Sequence, residues 1–128
     1  MMVNYRLPFP PSVNRIWRAV AGRVVLSAAA RAWKKTAANA LPTGHVVPLT
    51  GRLRVTLMLY PPARLKNKAW DVFNREKLLC DLLTEQRVWL DDSQIDCGIV
   101  VRGAPDAGAG YVDVMIQELL LTSGDGGE

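Results

Sequence analysis

Between residues 71 and 92 the chain carries acids at Asp71, Asp81 and the adjacent pair Asp91 and Asp92, with a lysine at position 77. Carboxylates brought together from the two ends of such a segment can bind Mg²⁺, a hard ion that takes oxygen ligands. The ion in turn generates an attacking hydroxide and stabilises the charge developing on a phosphodiester. Lys77, on the same stretch, would neutralise the phosphate being cut. A second reading stands beside this one. Asp71 also suits the N-cap of a helix, with Asn74 at its third position, and Asp91 and Asp92 suit a turn.

The surroundings of these acids bear on the choice. All 12 Asp and Glu residues begin at Asp71, whereas 12 of the 16 Lys and Arg residues lie in the first 70 positions. Basic side chains with no local counter-charge make a phosphate-binding surface, so nucleic acid is the expected partner, the alternative being a solvated basic face that keeps the protein soluble. The net charge of +4 alone would say less. Hydrophobic residues make up 49% of the chain and charged residues 22%, as in ordinary globular domains. No apolar run approaches the ~20 residues a membrane span needs. The start, MMVNYRLPFPPS, lacks the pattern of a signal peptide, so a cytoplasmic location is expected. Cys80 and Cys97 stand apart with no CxxC pair, and His45 is the one histidine, which excludes the usual zinc spacings.

These residues need elements to position them. VNYRLPF reads as a first strand stopped by Pro10 and Pro11, and a hairpin is expected about Gly22. SAAARAWKKTAANAL reads as a helix capped by Ser27 and ending before Pro42. RLRVTLMLY alternates as a strand, ARLKNKAW is a basic loop, and a second helix is expected from Asp71 to about Gln86. CGIVVRG and YVDVMIQEL then read as two strands joined by a flexible connection. The order predicts an α+β fold: a single small domain with two main helices packed on a mixed sheet.

Projected at about 100° per residue, the second helix gathers Val72, Leu78, Leu79, Leu82 and Leu83 on a core face. Phe73 and Lys77, four apart, fall on the other side with Asn74, Asp81 and Thr84. The core pattern does not ask for a phenylalanine there.

Three stretches carry a family resemblance: LPFPPSVNRIWR, VVLSAAARAWKK and DVFNREKLLCDLLTEQRVWLDDSQID. Together they resemble the RusA-like Holliday-junction resolvases, small dimeric endonucleases of phage and bacterial origin. The third is similar to that family's signature of Asp-x-Asp-Asn, a lysine three positions on, an aspartate four beyond it and a later Leu-Asp-Asp-x-Gln. The resemblance implies a RusA-like domain over residues 1–121, with 122–128 a flexible tail, and a homodimer that cuts four-way DNA junctions in a Mg²⁺-dependent reaction. It assigns catalytic roles to Asp71, Lys77 and Asp92 and metal ligation to Asp71, Asp92 and Asp91. Asp81 matches a further acidic position.

The second aspartate of the signature falls on Phe73. A phenyl ring offers no oxygen ligand and no charge, so Mg²⁺ should bind more weakly and the rate fall by orders of magnitude. Asp91 or Glu76 could replace it, although the helical projection turns Glu76 away from Lys77. The expectation is therefore a junction resolvase whose activity is lowered or lost. The alternative is a catalytically silent junction-binding dimer of the same family.

Arg15, Arg18, Arg64, Lys66 and Lys68 lie in segments read as loops, where they would take DNA phosphates. Trp33 and Trp89 are expected in the core or a dimer contact. Trp70, between the basic loop and Asp71, is a candidate for stacking on bases at the junction centre.

Overall fold

A computed structural model describes residues 2–12, 17–42 and 47–120, with only the backbone at 17–20 and 23–25. Arg15, His45 and the expected tail 122–128 lie outside the described residues.

β1 (Met2–Pro8) and β6 (Tyr111–Leu119) pair antiparallel, and β6 pairs antiparallel with β4 (Arg52–Tyr60). β5 (Ile95–Arg102) runs parallel to β4 on the sheet's other edge, giving the order β1-β6-β4-β5. CGIVVRG and YVDVMIQEL are thus not neighbours in the sheet, because β4 lies between them. β2 (Trp17–Val20) and β3 (Arg23–Leu26) form a separate hairpin. Its two turn residues, Ala21 and Gly22, have φ of 51° and 76°, the left-handed geometry that matches strand twist in a tight hairpin. Arg18 therefore stands in a strand and not in the loop expected from sequence.

The alternation in β4 sends Leu53, Val55, Leu57 and Leu59 to one face, where they meet Val112, Val114, Ile116 and Leu7. Both helices cover that face. α1 (Ala28–Ala40) begins at Ser27, whose hydroxyl accepts from the Ala30 N–H, and buries Ala30, Trp33 and Ala37. Trp33 donates its indole N–H to the Pro8 carbonyl, tying α1 to the end of β1. α2 (Glu76–Glu85) buries Leu78, Leu79, Leu82 and Leu83. At roughly 2 kcal/mol for each buried leucine, these four side chains anchor the helix more firmly than its propensity could.

α2 starts five residues later than the sequence pattern predicts. Asn74 has φ of 71°, a left-handed conformation that no α-helix continues through and that asparagine tolerates better than most residues. Arg75 follows as the N-cap, with no side-chain capping bond. Phe73 and Asn74 are turn residues, so the projection that placed Phe73 on a helix face with Lys77 does not apply to it. Nor does Asp71 cap the helix.

Candidate nucleic-acid interface and acidic site

The turn 71–75 is held by its last residue. The Arg75 guanidinium is buried and donates to the Asp71 carbonyl at 2.9 Å and the Pro10 carbonyl at 2.8 Å. It also lies 4.9 Å from the Phe9 ring centre and 5.5 Å from that of Trp70. A cation so placed joins three segments, and these two hydrogen bonds go to backbone oxygens. The side chains of Asp71, Phe73 and Asn74 are left exposed.

These three side chains share a cavity of about 360 Å³ with Arg64, Trp70 and Ser12. Trp70 is partly buried in its wall. Its ring meets Phe9 edge-on at 5.7 Å and carries the Arg102 guanidinium at 4.2 Å, while Arg102 also donates to the Trp70 carbonyl. Phe73, by contrast, is 68% exposed. The basic loop ahead of Asp71 is a 3-10 turn, Ala63–Leu65, followed by a tight turn in which Asn67 has φ of 62°. Lys66 and Lys68 are exposed on it.

Phe73 also lines a second cavity, of about 310 Å³, with Glu76, Cys80 and the edge-strand residues Gly98, Ile99 and Val100. Glu76 and Phe73 thus share the wall of one cavity. One carboxylate oxygen of Glu76, Oε2, is buried with no hydrogen-bond partner. Burial pushes the Cys80 thiol up to about 12, and the charges of Asp92, Asp81 and Glu76 add to the shift while Lys77 opposes it. Cys80 is accordingly a packed thiol and not a nucleophile.

At the far end of α2 the acids are engaged in structure. Asp91 caps the 3-10 turn Asp92–Gln94 and accepts from the Ser93 N–H; hydrogen bonding from the Ser93 side chain first, and then from its backbone, holds the Asp91 carboxyl below the usual carboxylate range. Gln94 completes a capping box by accepting from the Leu90 and Asp91 N–H groups, and donates to the carbonyls of Leu49 and Gly51. Asp92 Oδ1 accepts from Thr84 Oγ1 at 2.5 Å and from the indole of fully buried Trp89 at 3.1 Å. These bonds fix the orientation of the Asp92 carboxylate.

The sequence-predicted residues are therefore distributed as follows. Asp71, Phe73, Arg64 and Trp70 line one cavity, and Phe73 joins it to the second cavity, which holds Glu76 and Cys80. The charge of Asp92 reaches Cys80, with Lys77 one residue from Glu76. Arg75, Arg102 and Thr84 carry much of the geometry and were not singled out from the sequence. Gln94 had a readable signal, since a glutamine three residues after Asp91 is the capping-box spacing.

The fit of a metal can be tested on this donor set. Among the described residues no group of three His, Cys, Asp or Glu is placed to hold a metal ion. At position 73, where the signature resemblance puts a carboxylate, this chain carries a hydrocarbon ring. As they stand, these side chains do not make a Mg²⁺ cage.

The comparisons with known proteins agree with the fold and the sequence segments. The profile of the family described as Endodeoxyribonuclease RusA matches residues 8–117. The chain belongs to the RusA endodeoxyribonuclease family. It is 30% identical over 114 residues to the crossover junction endodeoxyribonuclease RusA of Escherichia coli strain K12, covering 88% of this chain and 92% of that protein. The enzyme of the same name from Enterobacteria phage 82 is also 30% identical, and that of Shigella sonnei strain Ss046 29%, over the same extent. Relatives in the RusA family thus come from bacteria and phage, and their names place their action at crossover junctions. No helix among the described residues is long and apolar enough to cross a membrane.

Proposed function

We propose that this chain binds branched DNA, the four-way junction above all, on the face that carries Asp71, Phe73 and the basic loop 64–68. We propose further that it cuts a phosphodiester there much more slowly than a chain with a carboxylate at position 73. The support for DNA binding is family membership together with Arg64, Lys66 and Lys68 leading directly into an exposed carboxylate. The support for impaired cutting is one observation: Phe73, 68% exposed, fills the place where the RusA signature has an aspartate.

Within this reading Asp71 and Asp92 are the catalytic carboxylates, with Asp91 a third candidate metal ligand. Lys77 balances charge on the scissile phosphate, and Arg15 and Arg18 take further DNA phosphates. Mg²⁺ is the proposed cofactor, and the missing ligand at 73 makes its affinity low. A homodimer is proposed because a two-fold partner matches the symmetry of a junction. The second reading, a junction-binding dimer that does not cut, is favoured by the absence of a three-donor set among the described residues.

The deciding experiment compares this chain with its Phe73→Asp variant on a labelled four-way junction with Mg²⁺, scoring both binding and strand cleavage. Cutting by the variant alone, with equal binding by both, establishes a silenced nuclease. Comparable cutting by both means that another acid completes the site, and Phe73 is not disabling. No preference for the junction over duplex in either chain removes the branched-DNA reading.

A further inference from the structure

Phe73 is more than a missing carboxylate. Of the three rings near Asp71, two are occupied: Phe9 packs edge-on against Trp70, and Trp70 also carries the Arg102 guanidinium. Phe73 alone of the three is exposed, and it stands on a turn whose backbone is fixed. Asn74 is left-handed, and Arg75 grips the carbonyls of residues 71 and 10. A ring displayed on a rigid turn loses little conformational entropy when something stacks on it.

The cavity at its side, about 360 Å³, is lined by residues whose side chains can hydrogen-bond a heteroaromatic edge, among them Asn74, Ser12, Arg64 and Asp71. The charge around it favours a polyanion. None of Arg64, Lys66, Lys68 and Lys77 is in an ion pair with a described residue; the ion pairs there are made by Arg6, Lys34 and Arg52. Cations for flanking phosphates, a free aromatic face and a polar-lined recess form the combination that proteins use to hold unpaired bases.

We infer that Phe73 is a stacking platform for an unpaired nucleobase, whose edge enters the cavity beside Asp71. In duplex DNA both faces of every internal base are covered by its neighbours, so only a branch point, flap or single strand presents a face to the ring. The residue that weakens cutting would then strengthen discrimination between branched and continuous DNA. This inference rests on the branched-DNA reading above. It concerns the role of Phe73 in binding and not the chemistry.

The test uses the full chain and a four-way junction with 2-aminopurine at the branch point, in EDTA so that no strand is cut. Phe73→Ala, Phe73→Leu and Phe73→Trp are compared with the unaltered chain, with thermal melts to check that each variant is folded. The unaltered chain should change the 2-aminopurine fluorescence. Phe73→Ala and Phe73→Leu should abolish that change and lose on the order of tenfold in junction affinity, with duplex affinity unchanged. Phe73→Trp should retain both the signal and the affinity. If Phe73→Ala keeps the junction preference and the fluorescence change, the inference is overturned while the branched-DNA reading stands. If the unaltered chain itself shows no preference for the junction over duplex, that reading falls and takes the inference with it.

Discussion

The two acidic corners flanking α2 are built in opposite ways. At Asp91 and Asp92, side chains are held by hydrogen bonds from Ser93, Thr84 and Trp89, and Gln94 locks the turn to the loop at Leu49 and Gly51. At Asp71, the anchoring bonds run from Arg75 to backbone oxygens, so the turn is fixed while its side chains stay uncommitted. The first corner orients its carboxylates through hydrogen bonds from neighbouring residues. The second keeps shape and side-chain function separate, which is how position 73 could exchange an acid for a ring without disturbing the fold.

The largest expected effect that would break this comparison is on chemistry. In the Phe73→Asp background, Asp71→Asn should lower junction cleavage by orders of magnitude, because the proposed role of Asp71 as a catalytic carboxylate has no substitute. Binding in EDTA should be unaffected. If Asp71→Asn cuts as fast as its parent, the exposed corner is not the catalytic one.

Stability separates the corners next. Arg75→Ala removes these two charge-assisted bonds and leaves a buried carbonyl at Pro10 and a partly buried one at Asp71 without their donor, for a loss of about 3 kcal/mol and a fall in Tm of roughly 10 °C. An unchanged Tm would show that the turn is held by something other than Arg75. Gln94→Ala, at the other corner, deletes four hydrogen bonds, but between uncharged groups, and should cost about 2 kcal/mol in a urea melt. Should it cost nothing, the capping box is incidental to the fold.

Thr84→Val is smaller still. It keeps the shape of the side chain and removes one donor to Asp92 together with an acceptor of the Trp89 indole, for about 1 kcal/mol, because that indole still donates to Asp92. Junction cleavage by Phe73→Asp should survive it within a fewfold.

The smallest effect is in pH dependence. The Asp91 carboxyl is held below its ordinary range by Ser93, so the unfolded chain binds its proton first as pH falls. The stabilisation is therefore complete above the ordinary carboxylate range and is lost as pH drops through the folded value. Asp91→Asn, which can still cap the turn, should lose less Tm on acidification than the unaltered chain. An equal loss in both would mean that other acids set the acid limb.

Much of the architecture was legible because it rests on local patterns. Ser27 before an Ala-rich run, period-two alternation in β4 and the Ala21–Gly22 turn each follow from residue type and spacing. The leucine arc of α2 was legible too, but its beginning was not. The apolar periodicity runs through Val72, and nothing local shows that Asn74 turns left-handed. That outcome depends on Arg75 finding the carbonyl of Pro10, a residue 65 positions away in the chain.

Residue order by itself determined the basic first half, the position of every acid, the leucines that bury α2 and the family signature with its phenylalanine. These are properties of composition and short-range spacing, and they survive any arrangement of the chain. Tertiary structure decided what each of those residues is free to do. It committed Asp91 and Asp92 to hydrogen bonds, buried Cys80, put Glu76 and Phe73 in the wall of one cavity, and covered Trp70 while exposing the ring at 73. Each of those outcomes depends on partners brought in from elsewhere in the chain, whose closeness no local pattern encodes.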